Sequence, residues 1–196
     1  HLQIIQNIEL EKIDNKSVKV YHHAIDKVNN IISNDLFNNN FLNDLQKTYH
    51  NKALELLREL YPEKIELYDY SDFHLIETGK DYKFPIHDDL PEKLLSGVIY
   101  ISPKKNTGTI FYDKKNGNGK NEVEWKINRA VFFSRKERES WHSYQGDKEN
   151  NRVALVYNLM TKRIKEVYEI ENKNYVVAKI RSKLNTYLYK YFNFLI

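Results

Sequence analysis

The chain has 196 residues, 41% hydrophobic and 30% charged, a globular composition that excludes collagenous, low-complexity and natively unfolded classes. Cysteine is absent, which removes disulfide scaffolds, thiolate metal sites and cysteine nucleophiles together. The net charge of +4, from 31 basic and 27 acidic residues with seven neutral histidines, suits small anionic partners and is too weak to argue for nucleic acid.

No apolar run approaches the length of a membrane helix, about 18 residues or more, and no signal-peptide pattern opens the chain. With the lack of cysteine, this makes the cytoplasm the expected compartment and gives no membrane partner. His1 rather than Met stands first, so the natural start is expected further upstream. The length predicts one domain over residues 1–196.

Three zones are expected along the chain. Residues 17–60 read as a helical N-terminal part. Within them Phe41, Leu42, Leu45, Tyr49, Ala53, Leu56, Leu57 and Leu60 recur at spacings of three and four, the stripe of an amphipathic helix. Tyr61-Pro62 ends it, because proline cannot continue the hydrogen-bond ladder. Residues 65–159 then read as short strands: Phe73 to Glu77, Leu94 to Ser102, Thr109 to Tyr112, Glu122 to Ile127, Ala130 to Ser134, Trp141 to Tyr144 and Arg152 to Leu159. Asn116-Gly117-Asn118-Gly119 marks a turn after the third. Strands at near-regular spacing without intervening helices predict a mainly β fold, a sandwich, barrel or jelly roll. Residues 162–196 read as helix again, with a weak point near Asn172-Lys173-Asn174. The flanking helices are expected to cover the outside of the sheets.

The chemistry gathers at His87-Asp88-Asp89. On an extended segment alternate side chains share a face, so His87 and Asp89 project together and Asp88 points away. Alone the pair means little, since about one His-x-Asp/Glu is expected by chance in such a chain. His142 on a later strand supplies a third ligand, and Arg152 follows ten residues on. Two histidines and one carboxylate form the facial triad of non-haem Fe(II) sites. A guanidinium pointing into a barrel requires an anion, and its fork matches a carboxylate. A dicarboxylate that chelates the metal at one end and meets Arg152 at the other satisfies both demands.

In the order His87-x-Asp89, His142, Arg152 the chain resembles the iron- and 2-oxoglutarate-dependent oxygenase superfamily, most closely its prolyl 4-hydroxylase-like branch. The resemblance covers roughly Phe73 to Leu159 and includes Gly97-Val98-Ile99-Tyr100-Ile101-Ser102, Gly108-Thr109-Ile110-Phe111-Tyr112 and Asn128-Arg129-Ala130-Val131-Phe132-Phe133. It implies a double-stranded β-helix (jelly roll) with helices on its outer face. It also implies Fe(II) held by His87, Asp89 and His142, with 2-oxoglutarate as cosubstrate and O2 as oxidant. Arg152 and the hydroxyl of Tyr100 would then bind the far carboxylate of 2-oxoglutarate. The implied reaction couples decarboxylation of 2-oxoglutarate to hydroxylation of a C–H bond in a small molecule or a peptidyl proline.

Three positions depart from the pattern. Thr107-Gly108 replaces the usual Gly-Gly, Arg129 stands where a glycine commonly precedes the apolar run, and Ile76-Glu77-Thr78-Gly79 lacks the usual tyrosine. Tyr82 is the candidate substitute for that last residue.

Two rivals stand beside this reading. One is a zinc hydrolase using the same triad and a water. The other is a non-catalytic jelly-roll binding module. His22, His23, His50 and His74 lack partners at ligand spacing and read as structural or exposed, with His74 facing solvent. The run Arg135-Lys136-Glu137-Arg138-Glu139 reads as a solvated loop bordering the pocket mouth, and residues 80–85, 104–106 and 134–140 as its rim loops.

Overall fold

Alternating side chains along ten short strands, counted among the described residues, build two antiparallel sheets and make this a mainly β jelly roll. The computed structural model describes residues 1–180 and Leu184. In chain order the strands are β1 (Val18–Asp26), β2 (Ile31–Asn34), β3 (Tyr70–Thr78), β4 (Lys83–His87) and β5 (Lys93–Ser102). They continue with β6 (Ile110–Tyr112), β7 (Asn121–Glu122), β8 (Ala130–Phe133), β9 (Trp141–Gln145) and β10 (Arg152–Met160). The larger sheet runs β2-β1-β3-β10-β5-β8 and the smaller β4-β9-β6-β7. Helices are α1 (Leu2–Gln6), α2 (Asn39–Leu60) and α3 (Ile164–Ile170), with a 3-10 turn over Pro62–Leu67.

The two faces of the larger sheet differ in kind. Tyr21, Ile25, Phe73, Leu75, Leu155, Tyr157 and Leu159 lie in one apolar cluster with Phe41, Leu42, Leu45, Ala53 and Leu57 of α2. All of those strand positions are odd-numbered, as period-two geometry requires of one face. Leu42 and Leu57 are fully buried, each contributing roughly 2–3 kcal/mol of burial. Even-numbered positions such as Asp72, His74, Arg152 and Asn158 belong to the opposite face, and Arg152 there meets Tyr144 of the smaller sheet.

The helix expected around residues 41–60 is α2. The Asn38 side chain caps it by accepting a hydrogen bond from the Phe41 amide at 2.8 Å, and Tyr61-Pro62 ends it. The stripe is narrower than expected, since Tyr49 and Leu60 remain exposed.

Three expectations are corrected. Residues 17–60 are not helical throughout, because β1 and β2 occupy 18–34. There Tyr21, His23 and Ile25 alternate inward, and β1 pairs along its whole length with β3. The β1–β2 turn is closed by Asp26, whose Oδ1 accepts from the amides of Val28 and Asn30 while Asn29 adopts φ 66°. The strand expected over Glu122 to Ile127 shrinks to β7, and Trp125 beyond it donates its indole N–H to the Pro103 carbonyl at 2.9 Å. Lys83, Phe84 and Pro85 belong to β4 rather than to a loop. The C-terminal helix is broken as expected: α3 stops before Asn172 at φ 55°, and helix resumes over 175–180. The helical reading of 181–183 and 185–196 lies outside the described residues.

His23 and His50 are structural, as expected. The ring of His23 is fully buried, donating from Nδ1 to the Phe73 carbonyl and accepting the Leu36 and Phe37 amides at Nε2. His50 meets the Tyr157 hydroxyl at 3.3 Å. Among the described residues no helix is long and apolar enough to cross a membrane.

Candidate metal centre

Strand pairing brings the first two ligands together. His87 closes β4 and lies directly opposite His142 in the antiparallel β4–β9 pair, so their rings approach to 4.2 Å between centroids. Asp89, two residues beyond His87, turns its carboxylate to the same spot. One ligand atom from each of His87, Asp89 and His142 lies within 4.8 Å of the others. Asp88 points away, and its Oδ2 accepts from the Arg138 amide at 2.7 Å.

Each imidazole is oriented the same way. His87 donates from Nδ1 to the Pro85 carbonyl and His142 from Nδ1 to the Ser140 carbonyl, both at 2.9 Å. Those bonds fix the proton on Nδ1 and leave the Nε2 lone pair for a metal. Burial, with a further push from His142, lowers His87 to about 4, so its imidazole is neutral at neutral pH. Burial pushes the Asp89 carboxyl upward, but the Lys93 ammonium and the two histidines outweigh it and hold the group well below the usual carboxylate range. His87 and Asp89 thus stand in their metal-binding protonation states. Phe84 packs on His87 at 4.1 Å and Phe133 on His142 at 4.8 Å, so aromatic rings wall the centre.

Three supporting residues escaped the sequence reading. Lys93 Nζ lies 2.7 Å from Asp89 Oδ1, and Ser96 Oγ donates to Asp89 Oδ2 at 2.5 Å. Arg135 donates from Nε to the Asp89 carbonyl at 3.2 Å. Residues 135–139 form a loop in which Arg138 and Glu139 are exposed as expected, but Arg135 and Glu137 are buried, which corrects the solvated reading at those two positions. Arg135 Nη1 meets Glu171 Oε2 at 2.6 Å, and Lys64 Nζ meets Glu171 Oε1 at 2.7 Å. A charge run became a buried network because its partners come from two distant segments.

Arg152 opens β10, is only 7% exposed and points between the sheets. Its guanidinium carbon lies 3.9 Å from the Tyr144 ring centroid, 5.5 Å from that of Trp125 and 5.7 Å from that of Tyr100. Among the described residues no carboxylate pairs with it, and its buried Nε has no hydrogen-bond partner. Tyr144 follows His142 by two residues on β9, so both share a face, roughly 7 Å apart along the strand. That alternation was the available signal for Tyr144. Trp125 had none.

Tyr100 is fully buried beside Arg152, its ring stacked on Trp125 at 4.4 Å. Its hydroxyl accepts from the Thr109 amide at 2.8 Å and donates to Thr109 Oγ1 at 3.2 Å. Gly108 keeps this corner tight, since a Cβ there would fall 1.7 Å from the Val123 carbonyl oxygen and 3.1 Å from the Tyr100 hydroxyl. Tyr82 stacks on Phe84 at 6.4 Å and lines a 710 Å³ cavity with Lys16, Lys83, Gln145 and Lys148.

The sequence matches no family model and no curated protein. Solved structures share its fold. IDO from Bacillus thuringiensis superposes with a TM-score of 0.54 at 12% identity, over 83% of this chain and 82% of that one. An oxidoreductase of the 2OG-Fe(II) oxygenase family from Burkholderia pseudomallei gives 0.53 at 13% identity, over 81% and 76%. A Pseudomonas putida prolyl-4-hydroxylase gives 0.51 at 14% identity, over 74% and 70%. What this chain shares with them is the jelly-roll fold.

Proposed function

We propose that this chain is an Fe(II)- and 2-oxoglutarate-dependent dioxygenase, a single oxygenase domain of the prolyl 4-hydroxylase-like branch acting in the cytoplasm on a peptidyl proline or a small molecule. The observation that carries this reading is the buried, unpaired guanidinium of Arg152 in the same interior as a His-Asp-His cluster. A cation so placed stays buried at a cost unless an anion arrives. A dicarboxylate bound at one end by the metal would bring one to Arg152.

The donor set fits Fe(II): two imidazoles and one carboxylate. His87, Asp89 and His142 would hold the ion, and Lys93 and Ser96 orient the carboxylate. Arg152 would form the bidentate pair with the far carboxylate of 2-oxoglutarate. Tyr100 would turn its hydroxyl from Thr109 to that carboxylate, with Tyr144 the wall on the opposite side. Phe84, Phe111 and Phe133 pack around the two imidazoles and would limit water at the centre. When bound, Fe(II), 2-oxoglutarate and O2 supply the oxidative decarboxylation to succinate and CO2 that is coupled to hydroxylation. The protein supplies binding, orientation and dryness.

Anaerobic addition of Fe(II) and then 2-oxoglutarate tests this. The visible charge-transfer band of the chelate is expected in the wild type, absent in His87→Ala and weakened in Arg152→Ala. A zinc hydrolase or a binding module would show no band. Its absence in the wild type, with no succinate released in air, would overturn the proposal.

A further inference from the structure

A second cluster repeats on the larger sheet the pattern that the first forms on the smaller one. His22 of β1 lies directly opposite His74 of β3, as His87 lies opposite His142. In each case an aspartate stands two residues from one of the histidines: Asp89 after His87, Asp72 before His74. One ligand atom from each of His22, Asp72 and His74 again lies within 4.8 Å of the others. The expectation that His22 and His74 lack ligand partners is thereby corrected. The pairing of strands fifty residues apart supplies what linear spacing did not.

We propose that His22, Asp72 and His74 form a second divalent transition-metal site, of the borderline class to which Zn(II) belongs. His22 Nε2 lies 2.7 Å from Asp72 Oδ1 and His74 Nε2 lies 2.9 Å from Asp72 Oδ2. Neither contact has the direction of a hydrogen bond, because buried Asp72 Oδ1 and His74 Nε2 are both left without a hydrogen-bond partner. The atoms converge beside one another rather than along N–H···O lines, as ligands around a common ion do. Asp72 is 4% exposed, and among the described residues no lysine or arginine answers its charge. A buried carboxylate facing two imidazoles requires a cation, and a metal provides it without protonating either ring.

The surroundings support a site. His22 Nδ1 meets Ser33 Oγ at 3.0 Å, the outer contact that turns Nε2 inward. The side chains of His22 and His74 are 44% and 23% exposed, so an ion can enter from solvent and keep a water. Asn158 is the register partner of Asp72 on β10 and shares its face. It is fully buried, with both amide atoms unpartnered, and its oxygen is a candidate fourth ligand. On its other side Asn158 is the partner of Ser96, which holds Asp89. The two centres thus lie along one row, Asp72–Asn158–Ser96, with its end strands about 10 Å apart. Asp72, His74 and His22 would tie β1 to β3, and no part of this assignment needs the dioxygenase reading.

The test uses Zn(II) alone with the full chain. In the double variant His87→Ala/His142→Ala, which removes the first centre, equilibrium dialysis is expected to show about one tightly held equivalent. Adding Asp72→Asn or His74→Ala, with folding checked by circular dichroism, is expected to abolish it. Co(II) in the double variant should give intense visible bands of low-coordinate ligation, lost on adding His74→Ala. Absence of zinc from the double variant overturns the proposal, as does full retention after Asp72→Asn and His74→Ala. Succinate release reports on the first centre separately.

Discussion

The ammonium of Lys93 sits 2.7 Å from Oδ1 of Asp89, the carboxylate that a metal at His87 and His142 would share. It compensates the buried carboxylate in the metal-free site and repels any divalent ion that enters. Lys93→Met should therefore strengthen divalent-metal binding by roughly tenfold, about 1.4 kcal/mol, once a like charge leaves a low-dielectric pocket. Titration calorimetry with Mn(II) measures this. Weaker binding in the variant would show that Lys93 acts chiefly by holding Asp89 in place.

Arg152 gives a prediction of opposite sign for stability and for ligand binding. Without an anion its charge is buried and unpaired, so Arg152→Met should leave the metal-free protein as stable or raise it by about 1–3 kcal/mol. The same change should raise the 2-oxoglutarate KM roughly a hundredfold, with kcat much less affected. Arg152→Lys should rescue only part of that loss, because an ammonium cannot form the two-pronged pair. Thermal denaturation and succinate assays read the two effects independently.

His87 makes the metal-free fold pH-sensitive. Its folded value of about 4 lies below the unfolded 6.5, so between these the unfolded chain binds a proton that the native chain does not. Unfolding free energy should therefore fall as pH drops from 6.5 towards 4, by about 3 kcal/mol in all, and this contribution should flatten below 4. Urea titrations in the presence of a chelator measure it. His87→Gln should remove that part of the slope.

Glu171 holds Lys64 and Arg135 together, all three buried, and Arg135 reaches the Asp89 carbonyl. Glu171→Gln would leave buried Lys64 without its counter-ion and Arg135 with Glu137 alone, 3.9 Å away, at a cost of about 3–5 kcal/mol. Replacing all three by apolar residues of similar volume should cost far less. Comparing denaturation midpoints of the single and triple variants tests this.

The sequence disclosed those parts of the site that depend on short spacing and on order. His87, Asp89 and His142 could be picked out as candidates because alternation along one segment, a later strand and the order with Arg152 pointed the same way. The α2 helix was equally legible, since its stripe recurs every three or four residues. The same stripe misled at residues 17–34, where helix was extended backward over a segment whose Tyr21, His23 and Ile25 alternate. Arg135 was misread because burial of a charge depends on partners 71 and 36 residues away, Lys64 and Glu171. His22 and His74 were passed over for the same reason: only the β1–β3 register brings them together.

β10 serves two neighbours at once. Leu155, Tyr157 and Leu159 press on the helical layer, while Arg152, Ala154 and Asn158 look towards the chemistry. Saturation mutagenesis of this one strand should show a two-beat rhythm, odd positions governing how much protein accumulates and even positions governing what it does. Natural variation could then retune one trait while the other stays fixed, although the two are written on consecutive residues.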